Sequence, residues 1–176
     1  DAFLAKYTYY GSRVWDRLWG GAYEDGAHCV AVSPDGNYVY IAGWTYSFGA
    51  GNGDAFLAKY TSGGSMVGNT LWGGAGSDYA YGVAVSPDGN YVYIAGGTRS
   101  FGAGSYDAFL AKYTSGLSMV GNTLWGGGGV DEAFGVAVSP DGNYVYIAGW
   151  TYSFGAGNGD AFLAKYTYYG SRVWDR

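Results

Sequence analysis

Three aspartates at a constant interval are the first residues in this sequence that suggest a chemistry. Asp25, Asp78 and Asp131 stand 53 residues apart, each between a glycine-rich stretch and an apolar run. Oxygen ligands suit calcium, so a circle of these carboxylates would form a cation site with calcium as the candidate ion. An aspartate in such a position also caps its own turn by accepting hydrogen bonds from backbone amides. We favour the capping role and predict no bound cofactor.

A second group of reactive side chains surrounds the single histidine, His28. Glu24 and Cys29 are close to it, but residues that alternate across a strand at this spacing do not match established zinc sites. Tyr81 and Phe134 occupy the corresponding positions further along the chain, so this position holds an aromatic ring. The sequence also lacks a nucleophile elbow and a phosphate loop. We predict no metal site and no catalytic residues, with His28 and Cys29 as the one pair that an enzyme would use.

Aromatic residues that the repeated segments do not share form the third group. Gly68 and Gly97 stand at positions where tryptophan occurs elsewhere, so the fold does not require those tryptophans. Exposed rings beside a few polar groups would make platforms for stacking sugar rings. The alternative is that the rings pack at sheet edges or between chains. The candidate ligand-binding residues are Trp15, Trp44, Tyr46, Trp150, Tyr152 and Trp174.

These candidates recur because the chain is an array of near-identical repeats. The segment DAFLAKYT begins at Asp1, Asp54, Asp107 and Asp160, and residues 1–17 are identical to residues 160–176. Self-similarity at a fixed period is the sequence signature of a repeat architecture. We divide the chain into repeats 1–53, 54–106 and 107–159 and a partial repeat 160–176, which together form one domain.

Each repeat contains four short runs that are typical of strands. Apolar and aromatic residues dominate these runs, and turn residues such as the segment SPDGN from Ser33 separate them. Four strands in a repeat of this length indicate a β-propeller blade, because one such sheet buries both faces only when neighbours pack on it. A β-solenoid is the alternative, although its coils are usually shorter and lack paired hairpins. We therefore predict an all-β propeller built from four-stranded antiparallel blades.

The order of strands predicts an incomplete ring. If blades begin at the inner strand, the chain holds three full blades, at about residues 29–72, 82–125 and 135–176, and an outer half-blade at residues 1–19. Closed propellers have about four to eight blades, and an open arc exposes two apolar faces that monomers rarely tolerate. We therefore predict that the chain associates with itself, by ring closure, by exchange of the identical end segments or as a filament.

Composition excludes several other classes of protein. The 176 residues are 48% apolar and 20% aromatic, which argues against disorder despite 34 glycines. A net charge of −5 provides no basic patch for nucleic acid. No apolar run reaches the roughly 18 residues of a membrane span, so we expect no membrane insertion. Cys29 is the only cysteine, so the chain contains no internal disulfide.

The order of motifs resembles a known family. The segments DAFLAKY, LWGG, DYAYGVAV from Asp78 and GNYVYIAGGT from Gly89 are similar to the SBBP-type β-propeller repeat of bacterial and archaeal proteins, and SPDGNYVY is also similar to YVTN-type surface propellers. The resemblance implies a propeller, typically of seven blades, and an extracellular or cell-surface location. It implies no catalytic motif.

Three functions remain open at this point. The leading hypothesis is a noncatalytic extracellular scaffold for structure or protein interaction that associates with itself. The second is a carbohydrate-binding propeller with one weak site per blade. The third is an enzyme that uses His28 and Cys29 near the axial mouth. Fold alone does not choose among them, because function depends on sites and propellers host many kinds of site.

Overall fold

The computed structural model describes residues 1–176 and consists of strands and turns. It confirms the all-β prediction, and it contains no helix that would be able to cross a membrane. The strands are β1 (Ala2–Tyr7), β2 (Arg13–Trp19), β3 (Asp25–Val32), β4 (Tyr38–Thr45), β5 (Asp54–Thr61), β6 (Met66–Trp72), β7 (Asp78–Val85), β8 (Tyr91–Thr98), β9 (Asp107–Thr114), β10 (Met119–Trp125), β11 (Asp131–Val138), β12 (Tyr144–Thr151), β13 (Asp160–Thr167) and β14 (Arg172–Asp175).

The strands form three four-stranded antiparallel sheets and one two-stranded sheet, as the sequence predicts. Strands β3 to β6 make blade 1, β7 to β10 make blade 2, β11 to β14 make blade 3, and β1 with β2 makes the half-blade. The inner strands β3, β7 and β11 contact their neighbours across the blades. They begin at Asp25, Asp78 and Asp131, four residues before the predicted starts, because a β-bulge lets pairing with the second strand continue.

The segment Ser33–Asn37 closes the inner hairpin of blade 1. The backbone N–H of Gly36 donates to Ser33 O at 2.8 Å, and Gly36 adopts φ = 72°, which a residue with a side chain rarely takes. The Asp35 carboxylate accepts hydrogen bonds from the Ser33 hydroxyl and from the backbone N–H of Asn37. These bonds hold the pKa of Asp35 below its ordinary value. The same hairpin recurs in the other two blades, so the turn chemistry is part of the repeat.

One aromatic pair repeats in every interface between blades. Trp72 of blade 1 stacks on Phe109 of blade 2 with ring centroids 4.0 Å apart. Trp19 on Phe56 and Trp125 on Phe162 reproduce the same distance of 4.0 Å. Both faces of blade 2 are therefore buried, whereas each end of the arc has one face without a neighbour.

Lysines bond each blade to the next one. Lys59 Nζ in blade 1 donates to Ser115 O in blade 2 at 2.7 Å, and Lys112 Nζ in blade 2 donates to Tyr168 O in blade 3 at 3.0 Å. Each donor reaches a carbonyl in the following blade. Lys165, the equivalent residue in blade 3, has no following blade, and its ammonium lies 3.5 Å from the ring centroid of Tyr144.

The ends of the arc expose side chains that are buried inside it. Phe3 in the half-blade is 70% exposed, whereas its equivalent Phe109 in blade 2 is 0% exposed. At the other end Leu163 in blade 3 is 40% exposed, whereas Leu57 in blade 1 is 0% exposed. The same side chain therefore occupies two environments, because the ends of the arc lack a neighbouring blade and the half-blade also lacks an inner hairpin of its own.

This contrast predicts different costs for one substitution at equivalent positions. Phe109→Ala removes a fully buried ring, so we expect the free energy of unfolding to fall by about 3–5 kcal/mol. Phe3→Ala removes an exposed ring and should change it by no more than about 0.5 kcal/mol. Denaturant unfolding at a concentration where light scattering shows a monomer measures both. Equal losses for the two variants would contradict the assigned packing.

Candidate functional site

The β-bulges of the inner strands arrange three aromatic rings in a row. The bulged residues His28, Tyr81 and Phe134 have no partner in the register of the adjacent strand. The ring of Tyr81 lies 5.2 Å from that of His28 and 5.1 Å from that of Phe134. Because a bulge redirects side chains, these rings meet across three separate blades.

Aromatic residues at the ends of the second strands extend this row. Trp44 lies 5.0 Å from Tyr46 and 6.2 Å from Tyr79 between ring centroids. Trp150 lies 5.6 Å from both Phe134 and Tyr152. The contacts form a continuous, partly exposed path over three blades, which we call the aromatic rim. Its members are Tyr46, Trp44, Tyr79, Tyr81, Phe134, Trp150 and Tyr152, with His28 and Tyr106 beside it.

Hydrogen bonds fix the orientation of the rim in blade 1. Trp44 Nε1 donates to His28 Nε2 at 2.8 Å, so this nitrogen of His28 is an acceptor. Burial lowers the pKa of His28, which also favours the neutral ring. The Tyr46 and Tyr79 hydroxyls are 2.9 Å apart, and this bond together with burial raises the pKa of Tyr46 to about 12. Both shifts favour the neutral forms of His28 and Tyr46 at neutral pH.

A buried carboxylate lies behind the rim between blades 2 and 3. Glu132 accepts hydrogen bonds from the Tyr81 hydroxyl at 3.3 Å and from Trp150 Nε1 at 3.1 Å. It occupies the space above Gly97, where an added Cβ would lie 2.9 Å from Glu132 Cγ. A side chain at position 97 would therefore collide with Glu132. Nearby, the Arg99 guanidinium lies 4.5 Å from the ring centroid of Tyr106.

The repeats differ from one another at the rim while their core residues stay the same. In blades 1 and 2 a large residue on one strand lies opposite a glycine on the other, whereas in blade 3 two large residues, Glu132 and Trp150, lie opposite each other and are joined by a hydrogen bond. Trp44 lies over Gly26, where an added Cβ would be 2.9 Å from the indole, and in blade 2 the large residue is Tyr79 opposite Gly97. The three pairs in register are Gly26 with Trp44, Tyr79 with Gly97, and Glu132 with Trp150.

Two of the predicted aromatic residues lie elsewhere. Trp15 is on β2, and its Nε1 donates to Ser62 O of blade 1 at 3.3 Å. Trp174 is on β14 and lies 6.3 Å from Tyr146 between ring centroids. The structure brings Trp44, Tyr46, Trp150 and Tyr152 together through the rim, but it does not bring these two outer-strand tryptophans to it.

The repeated aspartates are used inside their own blades. Asp78 is fully buried and accepts hydrogen bonds from Gly74 N at 2.9 Å, from Ser100 Oγ at 2.6 Å and from the Thr98 hydroxyl. Burial acts to raise the pKa of the equivalent Asp25, but hydrogen bonds of the same kind outweigh it and lower that pKa. No three histidine, cysteine, aspartate or glutamate side chains are grouped so as to hold a metal ion. The arrangement of Asp25, Asp78 and Asp131 is that of turn caps.

Sequence reasoning missed Tyr79, Tyr81, Tyr106 and Glu132 as members of one surface. Their proximity depends on packing between blades, which the period of a single repeat does not reveal. The sequence nevertheless contained an indication of this surface. Positions that differ among otherwise similar repeats are not constrained by packing in the core. Comparison of residues 26, 79 and 132 would have indicated this surface.

Cys29 and His28 do not form a nucleophile with its base. The Cys29 thiol lies 3.5 Å from Ala42 O, and burial raises its pKa to about 12. The side chain of His28 is bonded to Trp44 instead. A thiol with such a pKa stays protonated at neutral pH, and the thiolate is the reactive form.

This burial predicts an unreactive cysteine. At pH 8 a thiol with a pKa of about 12 is ionised in roughly one molecule in ten thousand, so maleimide labelling of native protein should be at least about tenfold slower than labelling of free cysteine. Labelling should become rapid when the chain is unfolded in denaturant at the same pH. Rapid modification of the native protein would show that Cys29 is accessible and ionised.

Comparisons with protein-family models agree with this architecture. A model described as a β-propeller domain of unknown function, DUF5122, matches residues 33–66, and the LVIVD repeat matches residues 77–101 and 132–154. The two LVIVD matches fall on the inner hairpins of blades 2 and 3. This chain is therefore a β-propeller repeat protein. No curated protein matches its sequence.

Solved structures show the same fold at low sequence identity. A hydrazine synthase of Kuenenia stuttgartiensis matches with a TM-score of 0.62 and 17% identity, over 95% of this chain and 40% of its own. A eukaryotic initiation factor matches with a TM-score of 0.56 and 12% identity, over 100% of this chain and 42% of its own. The chain thus spans about two fifths of each, and the likeness concerns the fold alone.

Proposed function

We propose that this protein is a noncatalytic, extracellular or cell-surface propeller that acts as a structural or protein-interaction scaffold by associating with copies of itself. One observation carries the proposal. Two opposite sheet faces are buried against each other in three interfaces within the chain, and one of these two faces is open at each end of the arc. The internal interfaces show the kind of surface that would cover each open face, namely a sheet face of another blade.

The open face of blade 3 supports this proposal in detail. Ala148 and Leu163 are exposed there, whereas Ala42 and Leu57 at the same repeat positions of blade 1 are completely buried against blade 2. An exposed apolar sheet face favours association with another apolar surface. Two copies contribute six complete blades, a number within the range of about four to eight found in closed propellers.

Other observations support the remaining parts of the proposal. The burial of Cys29 and the bond between His28 and Trp44 favour a noncatalytic role over the one enzymatic hypothesis. The similarity to SBBP-type and YVTN-type repeats in the segments around Asp78 and Gly89 supports a bacterial or archaeal surface location. The net charge of −5 and the carboxylate of Glu132 beside the rim argue against a nucleic-acid partner.

Light scattering after size-exclusion chromatography tests the association. We expect a discrete dimer for the 18.6 kDa chain, with a monomer appearing on dilution. Ala148→Lys places a charge on the open face and should shift the chain to the monomer. Met66→Lys introduces the same charge at an exposed position on β6, away from both end faces, and should leave the dimer unchanged. A monomer at every concentration would contradict the proposal.

Carbohydrate binding at the aromatic rim is the second candidate function. The observation that favours it is the concentration of sequence differences in a path of partly exposed rings with Glu132 and Arg99 beside them. Apolar ring faces with a few polar groups are the composition of a small-ligand site. Because each blade presents a different set of rim residues, each would contribute its own weak contact with a glycan.

Tryptophan substitutions distinguish glycan binding at the rim from glycan binding at the outer strands. If a glycan array identifies a bound sugar, Trp150→Ala should weaken that binding by at least about fivefold, because it removes a stacking surface worth roughly 1 kcal/mol or more. Trp174→Ala removes an indole from β14 and should have no effect. Equal losses for the two variants, or an array without any bound glycan, would overturn this candidate function.

A further inference from the structure

We infer that two copies of this chain associate by exchanging the outer half of a blade. In this arrangement the inner hairpin β11–β12 of one copy adds to the free edge of β1 in the other copy and releases its own hairpin β13–β14. The inference rests on the proposed self-association and specifies the contacts that produce it. Reciprocal exchange gives a ring of six complete blades.

Because the two end segments are identical, the exchanged blade would have the same contacts between strands as blade 3 of a single chain. Strand β12 pairs with β13 along its whole length, from Tyr144 opposite Thr167 to Thr151 opposite Asp160. Residues 1–17 repeat residues 160–176 without a difference, so β1 offers β12 the same partner in the same register. Ile147 would then lie opposite Ala5 instead of Ala164. Exchange of identical elements is a low-cost route to a dimer.

The structure contains the space that an inner hairpin would fill. Strand β1 pairs only with β2, so its other edge has unsatisfied backbone groups. A groove of about 290 Å³ lies beside that edge, and Leu4, Val30 and Val32 are among the residues that line it. Val30 is 58% exposed and Val32 is 57% exposed, whereas Val83 at the position of Val30 in blade 2 packs against a core cluster. An added hairpin would cover these two valines.

Lys6 of the half-blade lacks two aromatic contacts that the equivalent lysines of the full blades make. The ammoniums of Lys59, Lys112 and Lys165 each lie near two tyrosine rings from the second strand of their own blade, at 3.5–5.7 Å from the ring centroids. Lys6 already donates to Ser62 O of blade 1 at 3.1 Å, but it has no such pair of rings. Tyr144 and Tyr146 of a partner's β12 would take these positions and complete the cation–π contacts.

The exchange requires movement of only one segment. The half-blade stays packed on blade 1 through Leu4 and Trp19, and only β13–β14 of the other copy leaves its place. Residues 152–159 join β12 to β13 and include three glycines. Gly155 and Gly159 have φ values of 103° and 143°, so this connection already uses backbone conformations that other residues avoid. Such a connection is suited to act as a hinge.

Proline at equivalent positions of the two end segments tests the exchange. Leu163 exchanges backbone hydrogen bonds with Arg176, so the next amide along β13, that of Ala164, points to β12. By the same pattern the amide of Ala5 points to the free edge of β1. Ala5→Pro therefore leaves the half-blade's own pairing intact but removes a donor that β12 of a partner needs. Ala164→Pro removes the same donor from the competing intramolecular strand.

The twin variants should change the dimer in opposite directions. After refolding from denaturant at several concentrations, we expect Ala5→Pro to weaken the dimer by at least about tenfold and Ala164→Pro to leave it as strong or make it stronger. A dimer of Ala5→Pro as strong as that of the unmodified chain would overturn the exchange but leave self-association in place. A monomeric unmodified chain would instead contradict the proposed association itself.

Hydrogen exchange on the unmodified chain gives a test that does not depend on the variants. In the exchanged dimer the amides of Phe3, Ala5 and Tyr7 should become protected relative to the monomer, because they gain partners on β12. The amides at residues 162, 164 and 166 should lose protection to a similar extent. A dimer in which β1 stays unprotected and β13 stays protected would exclude the exchange and indicate simple face-to-face stacking.

Discussion

The need of a four-stranded sheet to bury both of its faces is the constraint on which this structure depends. Blade 2 meets it inside the chain, through the stacked pairs Trp72 on Phe109 and Trp125 on Phe162 at 4.0 Å. Apolar residues at core positions of the repeat stay exposed at the ends of the arc because no further blade covers them. The exposure of Phe3 and Leu163 therefore depends on their position in the array, and the proposed association would bury them by the same hydrophobic effect that stabilises the interior.

The repetition of the core leaves the rim free to vary. Backbone pairing and the Trp–Phe stacks fix each blade without using the side chains at the bulge or at the end of the second strand. Blade 1 places Trp44 over Gly26, whereas blade 2 places Tyr79 opposite Gly97, and both arrangements fit the same backbone. In these two blades a large side chain on one strand lies opposite a glycine on the other, and in blade 3 Glu132 lies opposite Trp150. The surface is thus continuous although no two blades contribute the same set of residues.

Turn chemistry and the 53-residue period were sufficient to predict the blades and the half-blade. The turn SPDGN and the bulky second strands determine that part of the fold locally. The starts of the inner strands were less predictable. His28 bulges out without a partner, but the preceding residue Ala27 pairs with Gly43, so the strand begins earlier than the sequence pattern indicates. The rim required knowledge of how blades pack, since Tyr81 meets Glu132 only across an interface. Local pattern thus predicted the strands but not the contacts between neighbouring sheets.

The lysine bonds between blades give the arc a polarity. Each ammonium reaches the carbonyl of the following blade, as Lys59 does with Ser115 and Lys112 with Tyr168. Any ring that continues this pattern keeps every blade in the same orientation about the axis, so the rims of all copies face the same side. If the rims bind a glycan as proposed, weak contacts at several rims of such a ring would act together on one surface and give an avidity that a single chain does not have.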